Sequence, residues 1–241
     1  MYRILINLFA FSFLISIHGF SQRLYFNTGL GYNLTAGSGI IQINPTNQGV
    51  KNWYGSYGEG LIGAMGLGYM VNENLGCELG FSILAGKTFD YSFNSNLRSY
   101  RYSNIGKMKR LIPALKITFG SKLKPYAKIG GVLGLKPEII KTVNQYIDKY
   151  SGGTSIGFMS ALGVDIQSNE SVSIFVEIVT ISQSWAPKKI EIETPNSHTT
   201  IYYVDKRYYG SGSNPEERLK VFFPFGSVGI NAGIKMTFGS N

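Results

Sequence analysis

The sequence predicts an all-β fold, an eight-stranded antiparallel up-and-down transmembrane β-barrel. Three observations carry that reading. Segments of strict period-2 alternation recur along the chain, each with one apolar face and one face of small or charged residues. Short polar connections alternate with long ones between these segments. Stretches of helical period do not compete with them, and 30 glycines in 241 residues argue against helix as well.

The chain opens on a charged start, an apolar middle and a small-residue exit: Arg3, then Ile4 to Ile17, then Gly19 and Ser21. That layout predicts a signal peptide over 1–21, cleaved before Gln22, and a barrel domain over 22–241. The apolar run is shorter than the ~20 residues of a bilayer-spanning helix. No Cys sits at the cleavage point, so a lipoprotein is not expected. Without Arg3, the 23 Lys+Arg fall to 22 against 14 Asp+Glu, a net of +8. The one cysteine, Cys77, cannot form an intramolecular disulfide and reads as a small hydrophobe in mid-strand. His198 is the one histidine beyond the leader, so a metal site or a Ser-His-Asp relay would have a single imidazole to use. No metal site and no cofactor are expected.

Strands are expected at about 23–34, 57–71, 75–86, 109–119, 125–135, 154–167, 171–183 and 225–238. Asn72-Glu73-Asn74, Ser121-Lys122-Leu123-Lys124 and Ser168-Asn169-Glu170 read as tight turns. Long polar loops are expected near 35–56, 87–108, 136–153 and 184–224. Three short and four long connections in strict alternation suit a barrel with both termini on its short-turn side. Glycines such as Gly29/Gly31, Gly66/Gly68 and Gly229/Gly233 fit the crowded inside of a small, strongly coiled wall.

The faces decide the solvent. Leu75, Cys77, Leu79, Phe81 and Ile83 share one face, as do Ile156, Phe158, Leu162, Val164 and Ile166, and Ile230, Ala232, Ile234, Met236 and Phe238. A lipocalin-like soluble barrel would turn such faces inward, but eight strands enclose too little space for them. The apolar side is therefore expected outward, in lipid. Tyr25, Phe26, Tyr69, Phe119, Tyr126 and Phe238 are expected in an interfacial girdle on the turn side. Trp53, Tyr54, Tyr57, Phe89, Trp185, Phe222, Phe223 and Phe225 are expected in a second girdle on the loop side.

Residues 23–238 resemble the bacterial outer-membrane β-barrel domain family, the group around the OmpA-type and OmpX-type eight-stranded barrels, and its Bacteroidetes branch in particular. The likeness rests on Gly19-Phe20-Ser21-Gln22, on Leu111-Ile112-Pro113 through Lys124-Pro125-Tyr126-Ala127-Lys128-Ile129-Gly130, and on Gly163-Val164-Asp165. Asn231, Gly233, Met236 and Phe238 match the family's assembly signal, although Gly239-Ser240-Asn241 follow Phe238. The resemblance implies an outer-membrane location and recognition by the barrel-assembly machinery.

Six ionisable residues are expected to point into the lumen: Glu78, Lys116, Lys128, Asp165, Glu177 and Lys235. Three acids and three bases read as a charge-balanced plug rather than an ion path. The second long loop carries Lys87, Arg98, Arg101, Lys107, Lys109 and Arg110, suited to lipopolysaccharide phosphates. Nucleic acid is not expected, because these residues sit on no nucleic-acid fold. In the fourth loop, 188–193 and 200–204 predict a hairpin around Pro195-Asn196, extending the seventh and eighth strands, with exposed edges for a partner. Tyr202, Tyr203, Tyr208 and Tyr209 suit such an interface. His198 is expected at a loop tip with no acid beside it, so a lipid-modifying enzyme is not expected. The chain reads as a non-enzymatic barrel presenting loops for envelope integrity, adhesion or an envelope protein partner. The alternatives are an accessory subunit of a secretion or gliding machine, like the PorT-type barrels, and a small-solute channel like the OmpW group.

Overall fold

Alternating residues give an extended chain two chemically different faces, and in this protein that alternation closes on itself. The computed structural model describes residues 23–37, 39–46, 49–94, 99–120, 123–169, 171–205 and 217–238. The expected signal peptide lies outside them. In chain order the strands are β1 (Arg23–Thr35), β2 (Gly39–Thr46), β3 (Gly49–Gly55), β4 (Gly60–Met70), β5 (Leu75–Gly86), β6 (Phe89–Asn94), β7 (Ser99–Thr118) and β8 (Leu123–Val143). They continue with β9 (Tyr146–Ser151), β10 (Ser155–Gln167), β11 (Val172–Trp185), β12 (Lys189–Thr194), β13 (Ser197–Val204), β14 (Glu217–Leu219), β15 (Phe223–Pro224) and β16 (Ser227–Phe238).

Eight of these form the wall, paired antiparallel in the order β1-β4-β5-β7-β8-β10-β11-β16. The wall closes where β16 pairs with β1, from Leu24 opposite Phe238 to Thr35 opposite Ser227. Closure leaves no edge in the wall, as lipid requires. The two described Asn-led turns are built the same way. Asn72 Oδ1 accepts from the amides of Asn74 (2.9 Å) and Leu75 (2.7 Å), and Asn169 Oδ1 accepts from Ser171 (3.0 Å) and Val172 (2.8 Å). A short side chain folded back onto its own backbone reverses the chain in a few residues.

The apolar face points outward. Ile156 is 82 % exposed, Leu30 74 % and Leu162 69 %, while Asp165 and Asn33 are buried on the inside. A continuous belt of exposed Leu, Ile and Phe around a closed wall is solvated by hydrocarbon and not by water. Cys77 lies on this outer face.

Outside the wall the structure departs from the expected loops. β7 and β8 run 20 and 21 residues, about 65 Å of strand. That is far more than a bilayer needs even with the strands tilted. Their loop-side halves continue as a second sheet in the order β6-β7-β8-β9-β12-β13-β14. The expected second and third loops are thus paired strands. A register shift between Lys107 and Lys109, with Lys136 at φ 46° on the facing strand, marks where the wall becomes the upper sheet. The fourth-loop hairpin forms as β12–β13 around 195–196, but it joins the upper sheet through β9 instead of extending the seventh and eighth strands. Part of its outer edge is covered by β14, which pairs parallel with 202–204.

Candidate functional site

The inward residues of the wall stack in four layers, and the lowest holds all six expected ionisable residues. Lys128 Nζ lies 2.7 Å from Glu177 Oε2 and 3.2 Å from Glu78 Oε1. Lys116 Nζ lies 3.0 Å from Asp165 Oδ2, and Lys235 pairs with the same oxygen. Each carboxylate of the first triad has further donors. Glu78 accepts from Tyr25 Oη (3.0 Å) and Asn27 Nδ2 (2.9 Å), and Glu177 accepts from Tyr126 Oη (2.9 Å) and Asn231 Nδ2 (3.3 Å). The Lys116 ammonium sits 3.8 Å from the centre of the Tyr126 ring, on its electron-rich face. One triad carries a net −1 and the other +1, so the layer is neutral as a whole.

Tyr25 and Tyr126 were expected in the turn-side girdle, and the structure corrects this: both are buried in the lumen. The reason is parity. Tyr126 is two residues from Lys128 and Tyr25 two from Asn27, so each shares the inward face. Phe119 and Phe238 do face outward.

Above the charges lies an apolar belt of Ala114, Val132, Met159, Ala161, Val179 and Ile181. Above that is a polar layer. Arg110 Nε donates to Gln183 Oε1 at 2.9 Å, Gln183 Nε2 donates to Ser155 Oγ at 2.8 Å, and Asn33 Nδ2 donates to Ser227 Oγ at 2.7 Å. The top layer is a lid of Tyr57, Trp185, Phe223 and Phe225 packed on Ile41, Leu84, Met108 and Ile139. The Tyr57 ring lies 5.9 Å from both Phe223 and Phe225, and Trp185 6.1 Å from both. These four aromatics were expected at the membrane interface. They turn inward because 223–226 folds into the barrel mouth, where Phe225 N donates to Gln183 O and Tyr57 N to Pro224 O. Inside the wall, a chamber of about 60 Å³ touches Glu78, Lys128, Glu177, Asn231 and Met159. It is roomy enough for a few waters.

The expected lipopolysaccharide contacts separate. Lys87 is exposed and pairs with Glu59 at 2.8 Å, a hydrogen bond that raises its pKa. Arg101, Lys107 and Lys109 are exposed. Arg98 lies outside the described residues, as do Tyr208, Tyr209 and the Trp53 side chain. Arg110 is a correction: it is fully buried, and its Nη2 donates to Phe225 O at 3.2 Å. Period-2 parity puts it on the face opposite Lys107 and Lys109. Of the assembly-signal residues, Asn231 points inward to Glu177, and Met236 and Phe238 face outward. Gly233 leaves room for the Phe175 ring, which a Cβ would approach to 2.8 Å. His198 is exposed, and strand pairing sets Glu193 directly opposite it, an acid the sequence reading did not place there.

The chain is a membrane-spanning eight-stranded β-barrel. It is similar to several solved structures. Neisserial surface protein A (NspA) matches at TM-score 0.46 and 13 % identity, over 89 % of this chain and 97 % of that one. The outer membrane protein OprG from Pseudomonas aeruginosa matches at TM-score 0.49 and 14 % identity, over 91 % and 97 %. The outer membrane protein AlkL, solved in lipid bilayers, matches at TM-score 0.34 and 13 % identity, over 92 % and 93 %. No protein-family model and no curated protein matches the sequence. The fold assignment stands on strand closure and the apolar exterior.

Proposed function

We propose that this barrel resides in the outer membrane, conducts no solute, and holds a folded β-sheet above the membrane for envelope integrity, adhesion or partner binding. The observation that carries this reading is the lumen filled, among the described residues, by a charge layer, an apolar belt, a polar layer and an aromatic lid, around a chamber the size of a few waters. The six lumen charges act as an internal brace. Their mutual pairing leaves no row of free charge for an ion to follow.

The upper sheet supports a display role. One face packs down through Ile139, Tyr150 and Phe223, while the other carries Lys149 paired with Glu138 (3.3 Å) and Lys189 paired with Glu191 (2.5 Å). The outer edge of β6 has no strand partner among the described residues. This favours the second reading, an accessory subunit of an envelope machine, since an open edge can accept a partner strand.

Two experiments test the proposal. Planar bilayers containing the folded, heat-modifiable protein should stay silent, and steady single-channel steps would overturn the non-conducting reading. Crosslinked pull-down from intact outer membranes should use a tag in the exposed 195–196 turn. A tag near Gly152 would disturb the carbonyl that accepts from Trp185 Nε1 at 3.0 Å. Stoichiometric recovery of a large envelope complex would favour the machine subunit over a stand-alone barrel.

A further inference from the structure

The outer wall is not smooth. A groove of about 650 Å³ crosses it on the lipid side, rising from Leu67 and Leu79 over Pro113 and Gly131 to Phe158. Two features of the sequence make it. Pro113 has no amide hydrogen, and the β7–β8 pairing is interrupted between Leu111–Leu133 and Ala114–Gly130. Gly131, facing that gap, has no side chain, and a Cβ built there meets nothing within 4 Å. The floor of the groove is therefore backbone, walled by exposed Leu79, Leu115, Ile129 and Phe158.

An independent feature lies above it on the same two strands. Lys107 and Lys109 on β7 and Lys136 at the β8 bulge are exposed, and none is ion-paired with a described residue. Glu138 stands opposite Lys107, but its carboxylate is taken by Lys149. Lys109 is four residues up the strand from Pro113, about 13 Å at the usual rise. That is close to the depth of one hydrocarbon leaflet. Cations on the loop-side rim above a hydrocarbon-lined groove suit one kind of molecule, an acylated lipid with a phosphate headgroup.

We propose that the β7–β8 face is a binding site for a phosphorylated, acylated glycolipid of the outer leaflet, with phosphate on Lys107, Lys109 and Lys136 and one acyl chain in the Pro113–Gly131 groove. This rests on the outer-membrane reading above. Lysines supply point charges, which suit a phosphate without demanding a fixed orientation.

The test uses the folded full chain in phosphatidylcholine nanodiscs doped with bis-phosphorylated lipid A, and native mass spectrometry counts the lipid that survives mild release. Wild type should retain lipid A over phosphatidylcholine and over dephosphorylated lipid A. The Lys107→Gln/Lys109→Gln/Lys136→Gln variant should lose on the order of a hundred-fold in that preference, from about five-fold per lysine near an anionic surface. Gly131→Phe fills the groove from open space, so it should fold normally and still hold lipid A more weakly. Equal retention of phosphorylated and dephosphorylated lipid, or unchanged retention in the lysine variant, overturns the headgroup site. Unchanged retention in Gly131→Phe overturns the groove. Phosphatidylglycerol retained as well as lipid A would reduce the patch to general surface charge and overturn the glycolipid assignment. If the folded barrel is absent from outer-membrane fractions, the outer-membrane reading itself fails, which heat-modifiable migration detects separately.

Discussion

Replacing Lys128 with Met keeps most of the side chain's apolar stem and removes the one charge that joins Glu78 to Glu177. At an effective dielectric near 20, unit charges at 2.7 and 3.2 Å attract by roughly 6 and 5 kcal/mol. Most of that is returned to desolvation, because Lys128 and both carboxylates are at most 8 % exposed. Removing one partner of a buried pair typically costs about 3–5 kcal/mol. Here four neutral donors, from Tyr25, Asn27, Tyr126 and Asn231, remain on the two carboxylates. The expected loss is therefore at the low end, about 3 kcal/mol. The assay is reversible guanidinium unfolding in short-chain lipid vesicles, read as the difference in unfolding free energy at unchanged slope. The triple variant Lys128→Met/Glu78→Gln/Glu177→Gln removes the stranded charges and should return to within about 1 kcal/mol of wild type. A single-variant loss below about 1 kcal/mol would refute the reasoning, because it would mean that water already screens the triad. A triple variant no better than the single would refute it too.

The other layers give sharper local expectations. A Cβ on Gly163 would stand 2.5 Å from Tyr126 Cζ, so Gly163→Ala should cost about 1–3 kcal/mol by overpacking, and much less beside Tyr126→Ser; vesicle unfolding checks both. Arg110→Met should release the lid, lowering hydrogen-exchange protection of the Phe225 and Tyr57 amides about ten-fold or more, while the β1–β16 amides stay protected. Asp148, in the upper sheet, has a pKa raised by burial despite the opposing pull of Lys141 and Arg218. Its folded pKa exceeds the unfolded one, so its cost is full above the folded value and is relieved as pH falls through it. Exchange protection of β9 should therefore rise on mild acidification, and Asp148→Asn should abolish that rise.

What the sequence made legible was whatever depends on parity and turn chemistry. Eight wall strands, the two Asn-led turns and the outward apolar face follow from alternation and turn chemistry, while residues 121 and 122 of the third expected turn lie outside the described residues. The six lumen charges were readable because each interrupts an apolar strand on its small-residue face. Arg110, Tyr25 and Tyr126 obey the same parity. A basic or aromatic residue near a strand end suits a membrane interface as well as a lumen, and its parity along the strand is what separates the two. The lid was not legible in this way. Phe223 and Phe225 are buried because 223–226 returns to the barrel mouth and pairs with 183–185, a contact about 40 residues away that no local pattern announces. The upper sheet was hidden for the same reason: β9 meets β12 across an intervening wall strand pair.

That upper sheet bears on how the protein would meet a partner. β7 and β8 cross the membrane and continue through the bulge at Lys107–Lys109 and Lys136 into it, so the sheet is carried directly on two strands of the wall. Its base is fixed to the lid, where Tyr150 packs edge-on against Phe223 at 5.1 Å and Lys141 lies 5.2 Å over the same ring. Free loops would have to be ordered on binding, at about 0.5–1.5 kcal/mol for each immobilised side chain. A sheet already built on the barrel avoids much of that cost. The same rigidity links the two proposed surfaces, because the lysine rim sits at the bulge where wall becomes sheet. A lipid held on β7 and β8 would steady the bulge from which the sheet rises, and removing the rim lysines should raise hydrogen exchange in 136–143 even in the absence of any protein partner. Unchanged exchange there would show that the sheet is held by the lid alone.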